Sequence, residues 1–412
     1  MALNYIWIAF FLIAFCIASF QLIIYKDTTI FEKLVESTFS SSETAFELSI
    51  GLTGAMALWL GIMKIGEKAG IVNLLTFLFG PFFQRLFPEI PKNHPAIAPI
   101  FLKLSANLLG LVNAGTPLGI KAMREMQTLN KTPDTASNAQ IMFAVLNTTG
   151  FTLIPVTILA YRTQMGAANP SDVFIPILLS TTVTALSAMI MVAIIQRINL
   201  FDPILLLYLL GIVGLIVSTI YYFSIIPDDK IRIVTNVVSN FILFFIIIFF
   251  IVMGLFKGVN VYEAFIEGAK DGFDVAIKII PYLVGILVGI AVFRTAGALD
   301  LLNRTVESIF EYFYLNGEFV LALPVAYLKP LSGSGSSGMM LELMDKKYGG
   351  PDTFHATLAC VFQGTTDTTL YILAIYFGSV NIKKTRYAAT VGLLADFIGL
   401  SAAVYITYIF YQ

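Results

Sequence analysis

The chain has 412 residues, 58% hydrophobic and 12% charged, with a formal net charge of −1 and a mean hydropathy of +0.84. Soluble domains carry about 25% charged residues, so this composition argues against a soluble enzyme, and the absence of a basic excess argues against a nucleic-acid partner. Two cysteines (Cys16, Cys360) and two histidines (His94, His355) lie far apart and supply neither a disulfide framework nor a metal cluster, and no cofactor is expected.

Apolar runs at 5–25, 44–63, 172–196, 203–225, 232–256 and 385–411 approach or exceed the roughly 20 residues that cross a bilayer. They are continuously apolar rather than alternating, which indicates helices and not a membrane barrel. The expected class is an all-α, polytopic integral membrane protein. The first run has no basic segment before it and is too long for a signal-peptide core, so it reads as a retained span. Phe15 before Cys16 is too bulky for a lipoprotein cleavage site.

The chain reads as two repeated halves, 1–199 and 200–412, joined at the polar stretch "QRINLFDP" (196–203). "FELSIGLTGAMALWLGIMKIGEKAG" (46–70) and "FDVAIKIIPYLVGILVGIAVFRTAG" (273–297) both start Phe-acid and reach Ala-Gly after the same interval. Next come "PIFLKLSANLLGLVNAGTPLGIKAM" (99–123) and "PVAYLKPLSGSGSSGMMLELM" (324–344), each with Leu-Lys following a proline. Last are "FAVLNTTGFTLIPVTILAY" (143–161) and "ACVFQGTTDTTLYILAIYF" (359–377), where Thr149 aligns with Thr365 and Thr152 with Thr368. Repeated halves are the usual build of secondary transporters, often inverted, with substrate sites near the midplane where helices are broken. Broken or re-entrant helices meeting there are the expectation.

Two segments carry the composition of such breaks. Residues 332–338 hold four serines and three glycines, and 105–117 combine Ser, Asn, Gly and Pro. Irregular backbone at membrane depth survives only when enclosed by protein or lining a wet cavity. Ser332, Ser334, Ser336 and Ser337, with Asn107, Asn113 and Thr116, are therefore candidate solute contacts. Ser332–Gly338 is expected to be unwound beside Gln363–Thr368, and the first-half helix is expected to restart at Pro117, a favoured first position.

The third block adds Gln363, Thr365, Thr366, Asp367 and Thr368, answered in the first half by Asn147, Thr148 and Thr149. A carboxylate within a span marks a functional site by default; capping of a helix start is the structural alternative for Asp367. Lys103 and Lys329, matched across the repeat, are possible charge partners. Asp396, in "GLLADFIGL", is a further buried candidate.

Residues 1–199 resemble the spore maturation protein A family through "LTGAMALWLGIMKIGEKAG", "LFPEIPKNHPA" and "NTTGFTLIPVTILAYRTQMGAANPSDVFIPILL". From about 270 onward the chain resembles the spore maturation protein B family through "LKPLSGSGSSGMM", "ACVFQGTTDTTLYILAIYFGSVNIKKTRYA" and "GLLADFIG". Both are similar to the nucleoside recognition, or Gate, group, which also resembles segments of concentrative nucleoside transporters and of ferrous-iron transport protein B. The resemblance implies a fused pair in the bacterial cytoplasmic (inner) membrane with an envelope or transport role.

The expected function is binding or moving a small polar or ionic ligand through a central cavity between the repeats, with the lipid bilayer as environment and a homodimer as the assembly. No phosphate-binding loop is present, so energy would come from an ion gradient or a partner. A non-transporting assembly factor for the cell envelope or spore is the alternative. An intramembrane serine hydrolase using "GSSG" (335–338) and His355 is remote, because the glycines already serve a break.

Overall fold

The computed structural model describes residues 2–109, 112–299, 301, 304, 308 and 317–411. These contain helices and no strand: α1 (Ala2–Ile24), α2 (Ile30–Lys68), α3 (Ile71–Leu86), α4 (Ile97–Leu108), α5 (Val112–Gln127), α6 (Asn138–Thr148), α7 (Val156–Gln164) and α8 (Phe174–Ile195). They continue with α9 (Pro203–Ile225), α10 (Asp228–Phe256), α11 (Val261–Thr295), α12 (Leu323–Leu328), α13 (Gly333–Leu343), α14 (Phe354–Thr365), α15 (Thr369–Gly378) and α16 (Ala388–Tyr411). Eight stretches among the described residues are long and apolar enough to span a bilayer. Six coincide with the apolar runs read from the sequence. The other two, Val261–Thr295 and Phe354–Gly378, were masked there by charges in the first half of α11 and by the Thr-rich run between α14 and α15.

Local chemistry sets the boundaries. The long helices α2 and α11 both end at the Gly of an Ala-Gly pair, Gly70 at φ 80° and Gly297 at φ 83°, where glycine takes the left-handed turn that stops a helix. Ser137 and Gln140 form a reciprocal capping box at the start of α6. Asp202 caps α9 ahead of Pro203, its first residue. The expected restart at Pro117 is corrected: α5 begins at Val112 and Pro117 lies inside it. A proline in the second turn forfeits one helix bond, beyond the four N–H groups that open any helix without a partner inside it.

The chain forms two compact units, each drawing on both sequence halves. The first comprises Met1–Trp59, Thr157–Pro170 and Ala269–Gln363. There α1, the start of α2 and the end of α11 bury Ala14, Ala18, Ile30, Leu34, Val292 and Ala296 together. Trp7 Nε1 donates to the Gly285 carbonyl at 2.8 Å and Gln21 Nε2 to that of Ala296 at 3.0 Å. Arg162, fully buried on α7, donates to the Pro351 carbonyl at 2.9 Å and pairs with Asp352 at 3.3 Å.

The second unit comprises Leu60–Val156, Ser171–Gly268 and Gly364–Gln412. Its core joins α3, α4, α5, α6, α8, α9, α15 and α16. Within it α16 lies against α8 and the start of α15: a Cβ on Gly399 would overlap Thr184 Oγ1, and one on Gly392 would stand 2.8 Å from Thr369 Cγ2. Small residues permit this close approach of membrane helices. Gly392, Asp396 and Gly399 follow at i, i+4 and i+7, so they share one face of α16. Outer faces of α9 and α10 expose Leu207, Leu210, Leu215, Phe241 and Phe244, the surface a bilayer covers.

Candidate functional site

The Gln-Gly-Thr-Thr-Asp-Thr-Thr run cannot hold a continuous helix. Glycine and β-branched threonine are poor helix formers, and Asp367 Oδ1 accepts the Thr368 N–H at 2.7 Å, a local bond that competes with the helical pattern. Helix α14 ends at Thr365 and α15 resumes at Thr369. The freed Asp367 N–H donates to the Thr148 carbonyl at 2.9 Å, and the Thr366 hydroxyl lies 3.1 Å from that same oxygen. Thr148 is the last residue of α6, so the two interruptions satisfy one another.

Gly150 makes the approach possible. Its φ is +60°, and a Cβ there would stand 2.9 Å from Asp367 N. The interruption between α4 and α5 joins them, since Leu153 N–H donates to the Leu108 carbonyl at 2.7 Å. Three helix ends therefore meet within the second unit.

Asp396 anchors this junction from α16. It is 2% exposed, and its carboxylate oxygens accept the Thr366 hydroxyl at 2.5 Å and the Thr369 hydroxyl at 2.6 Å. Thr365 donates to Ser180 Oγ at 2.9 Å. Sequence reading ranked Asp367 above Asp396 and omitted Ser180; the shared face of Gly392, Asp396 and Gly399 was the signal that a carboxylate sits where α16 comes closest.

A polar chain runs through α4 and α6. Lys103, buried, bonds Asn107 Oδ1; Asn107 Nδ2 donates to Asn147 Oδ1 at 2.9 Å; Asn147 Nδ2 donates to the Phe143 carbonyl at 2.7 Å. Thr149 returns its hydroxyl proton to the Leu146 carbonyl at 2.8 Å. Thr116 is partly buried on α5, and the Asn113 side chain lies outside the described residues.

The serine cluster belongs to the first unit, and the expectation of an unwound Ser332–Gly338 is corrected. Ser332 is the N-cap of α13, its hydroxyl accepting the Gly335 N–H at 3.0 Å, and residues 333–343 are helical. The break falls one turn earlier, between Leu328 and Gly333. Capping and packing outweigh the low propensity of glycine: Gly338 sits so close to α11 that a Cβ would overlap Ile286. Ser334 Oγ lies 3.4 Å from Ser332 Oγ. Ser336 donates to Gln363 Oε1 at 2.6 Å, and Gln363 Nε2 donates to Ser337 Oγ at 2.7 Å. Lys329, buried, closes α12. His355 lies 3.1 Å from Thr353 Oγ1 and 3.0 Å from the Tyr348 carbonyl, and no described bond links it to a serine of the motif.

Ser336 also reaches the Val325 carbonyl at 3.0 Å, and Ser337 the Gly333 carbonyl at 2.9 Å. Neither hydroxyl depends on Gln363. Gln363→Leu is therefore expected to cost only about 2 kcal/mol, the net worth of the two bonds it removes at about 1 kcal/mol each, read as a modest shift in the detergent denaturation midpoint.

Comparison with known proteins places these breaks in a family. The nucleoside recognition (Gate) profile matches residues 49–168 and 276–383, more than half of the chain. Spore maturation protein B of Bacillus subtilis (strain 168) is 48% identical over 153 residues, covering 37% of this chain and 83% of that protein. Spore maturation protein A of the same organism is 41% identical over 155 residues, covering 38% of this chain and 79% of that protein. With its multi-pass helical build and its two matched segments, this chain belongs to the nucleoside recognition (Gate) family.

Proposed function

We propose that this protein is a secondary-transporter-like component of the bacterial cytoplasmic membrane, binding and moving a small polar or ionic solute between its two repeated halves. One observation carries the reading: an interruption from the first half and one from the second touch, through Asp367 N–H and the Thr148 carbonyl at 2.9 Å, beside a carboxylate. Interrupted helices expose main-chain groups and side-chain hydroxyls that can replace the hydration shell of a solute.

The order of elements supports the repeat. In each half a long helix ends at a left-handed glycine, two interrupted helix pairs come after it, and an apolar helix closes the half: α2, α4–α5, α6–α7 and α8, with α3 interposed after α2, then α11, α12–α13, α14–α15 and α16. The family profile matching twice adds to it. The first half offers Phe151 where the second has Asp367, so charge enters from one half only.

Purified protein in proteoliposomes, screened with nucleosides, lipid precursors and inorganic cations for binding and uptake, tests the reading. Asp367→Asn keeps an acceptor for the Thr368 N–H, so the junction stays folded while the charge is lost. Binding or uptake is expected to fall at least tenfold in that variant. Full activity in a folded Asp367→Asn protein sinks the proposal.

A further inference from the structure

We infer that the solute recognised at the junction is an amphiphile whose short alkyl chain occupies an apolar cavity adjoining the helix breaks; this rests on the reading of those breaks as a solute site. The cavity lies within the second unit, with a volume of about 90 Å³, walled by Phe79 and Phe83 of α3, Leu108 of α4, Met189 of α8 and Ile212 of α9. Tyr208 Oη donates to the Leu78 carbonyl at 2.6 Å and holds α9 against α3 beside it.

Three polar residues border the cavity: Asn107, Thr149 and Thr182. The Thr149 hydroxyl proton is committed to the Leu146 carbonyl at 2.8 Å and that of Thr182 to the Leu178 carbonyl at 2.5 Å. Asn107 is engaged on both sides, by Lys103 and by Asn147. A buried water needs two to four polar partners, whereas an apolar cavity of about 150 Å³ stays dry and takes up benzene. The smaller volume here suits a few methylene groups.

The cavity and the junction share their wall. Asn107 lines the cavity and bonds Asn147 of α6; Thr149 lines it and stands between Thr148 and Gly150, the two residues that meet Asp367. A solute whose polar head lies at the break therefore has an apolar volume directly beside it. Purely hydrophilic solutes leave that volume empty and lose the dispersion contacts of its aromatic lining.

The test uses the full-length protein in nanodiscs and hexylphosphocholine carrying a diazirine at its terminal carbon. Photolabelling is expected on peptides from α3, α8 and α9, and unlabelled hexylphosphocholine is expected to compete at least tenfold better than hexane. Ala185→Phe, which fills the cavity, is expected to abolish labelling; Asn107→Leu is expected to erase the preference for the head-bearing competitor. Equal competition by hexane overturns the inference, because the cavity then holds any alkyl chain without regard to the head. Labelling elsewhere overturns it too. Labelling and competition are measured with Asp367 in place, so they stand apart from the Asp367→Asn result: loss of the solute site there leaves the competition measurement unchanged in meaning.

Discussion

Replacing Asp396 by leucine is expected to destabilise the protein by on the order of 3 kcal/mol, read from its denaturation midpoint in mild detergent. Leucine fills a similar volume but accepts no hydrogen bond. The Thr366 and Thr369 hydroxyls, now 2.5 and 2.6 Å from the carboxylate oxygens, lose the acceptor that ties α16 to the break. Bonds to a charged group contribute about 1.5–3 kcal/mol each, whereas neutral bonds between membrane helices average about 0.6 kcal/mol. The two scales separate clearly for a pair of bonds. A loss of about 3 kcal/mol or more identifies an ionised carboxylate at the junction. Asp396→Asn retains one acceptor oxygen and is expected to cost about half as much. A leucine variant as stable as the parent contradicts the anchoring role.

Gly150→Val is expected to be more damaging still, preventing the folded protein from accumulating in the membrane. Two effects add. The residue sits at φ +60°, a conformation that costs an L-residue about 1–2 kcal/mol and a β-branched one more. Its Cβ would also press on the Asp367 main chain at 2.9 Å, and backbone held by two helices cannot swing aside as a long side chain can. Separating the pair leaves the Asp367 N–H and the Thr148 carbonyl without each other at a depth where water is scarce. Gly166 supplies the control, at φ +78° with open space around it. Gly166→Ala should cost the conformational part alone, about 1 kcal/mol, so the difference from Gly150→Ala measures the steric contact. Equal losses at the two positions would place no special constraint on the junction.

Much of the architecture is legible in the residues. Six apolar runs announce spans, and the Ala-Gly pairs at 69–70 and 296–297 read as matched markers of the repeat, which the structure shows to be where two long helices stop. The Thr-rich run at 365–369 reads as a polar cluster around Asp367 rather than as a break, and it is the structure that interrupts the helix there. The serine–glycine stretch misled, because its composition describes weak helix propensity while Ser332 capping and the contact with Ile286 supply what propensity lacks. A helix can be carried by its neighbours, and a propensity scale does not see neighbours.

The sequence by itself determined the class of the protein, the place of most spans and the chemistry available at the breaks, because hydropathy, glycine and hydroxyl content act through local rules. Only the tertiary structure decided which breaks meet. That Asp367 bonds Thr148, that Asp396 accepts from Thr366 and Thr369, and that Asn107 bonds Asn147 are facts of residues 27 to 219 positions apart in the chain. Buried main-chain groups must find partners, but the sequence does not say which partner is near. Close packing around Gly150, Gly392 and Gly399 settles that, by bringing backbones within reach where any side chain would hold them apart.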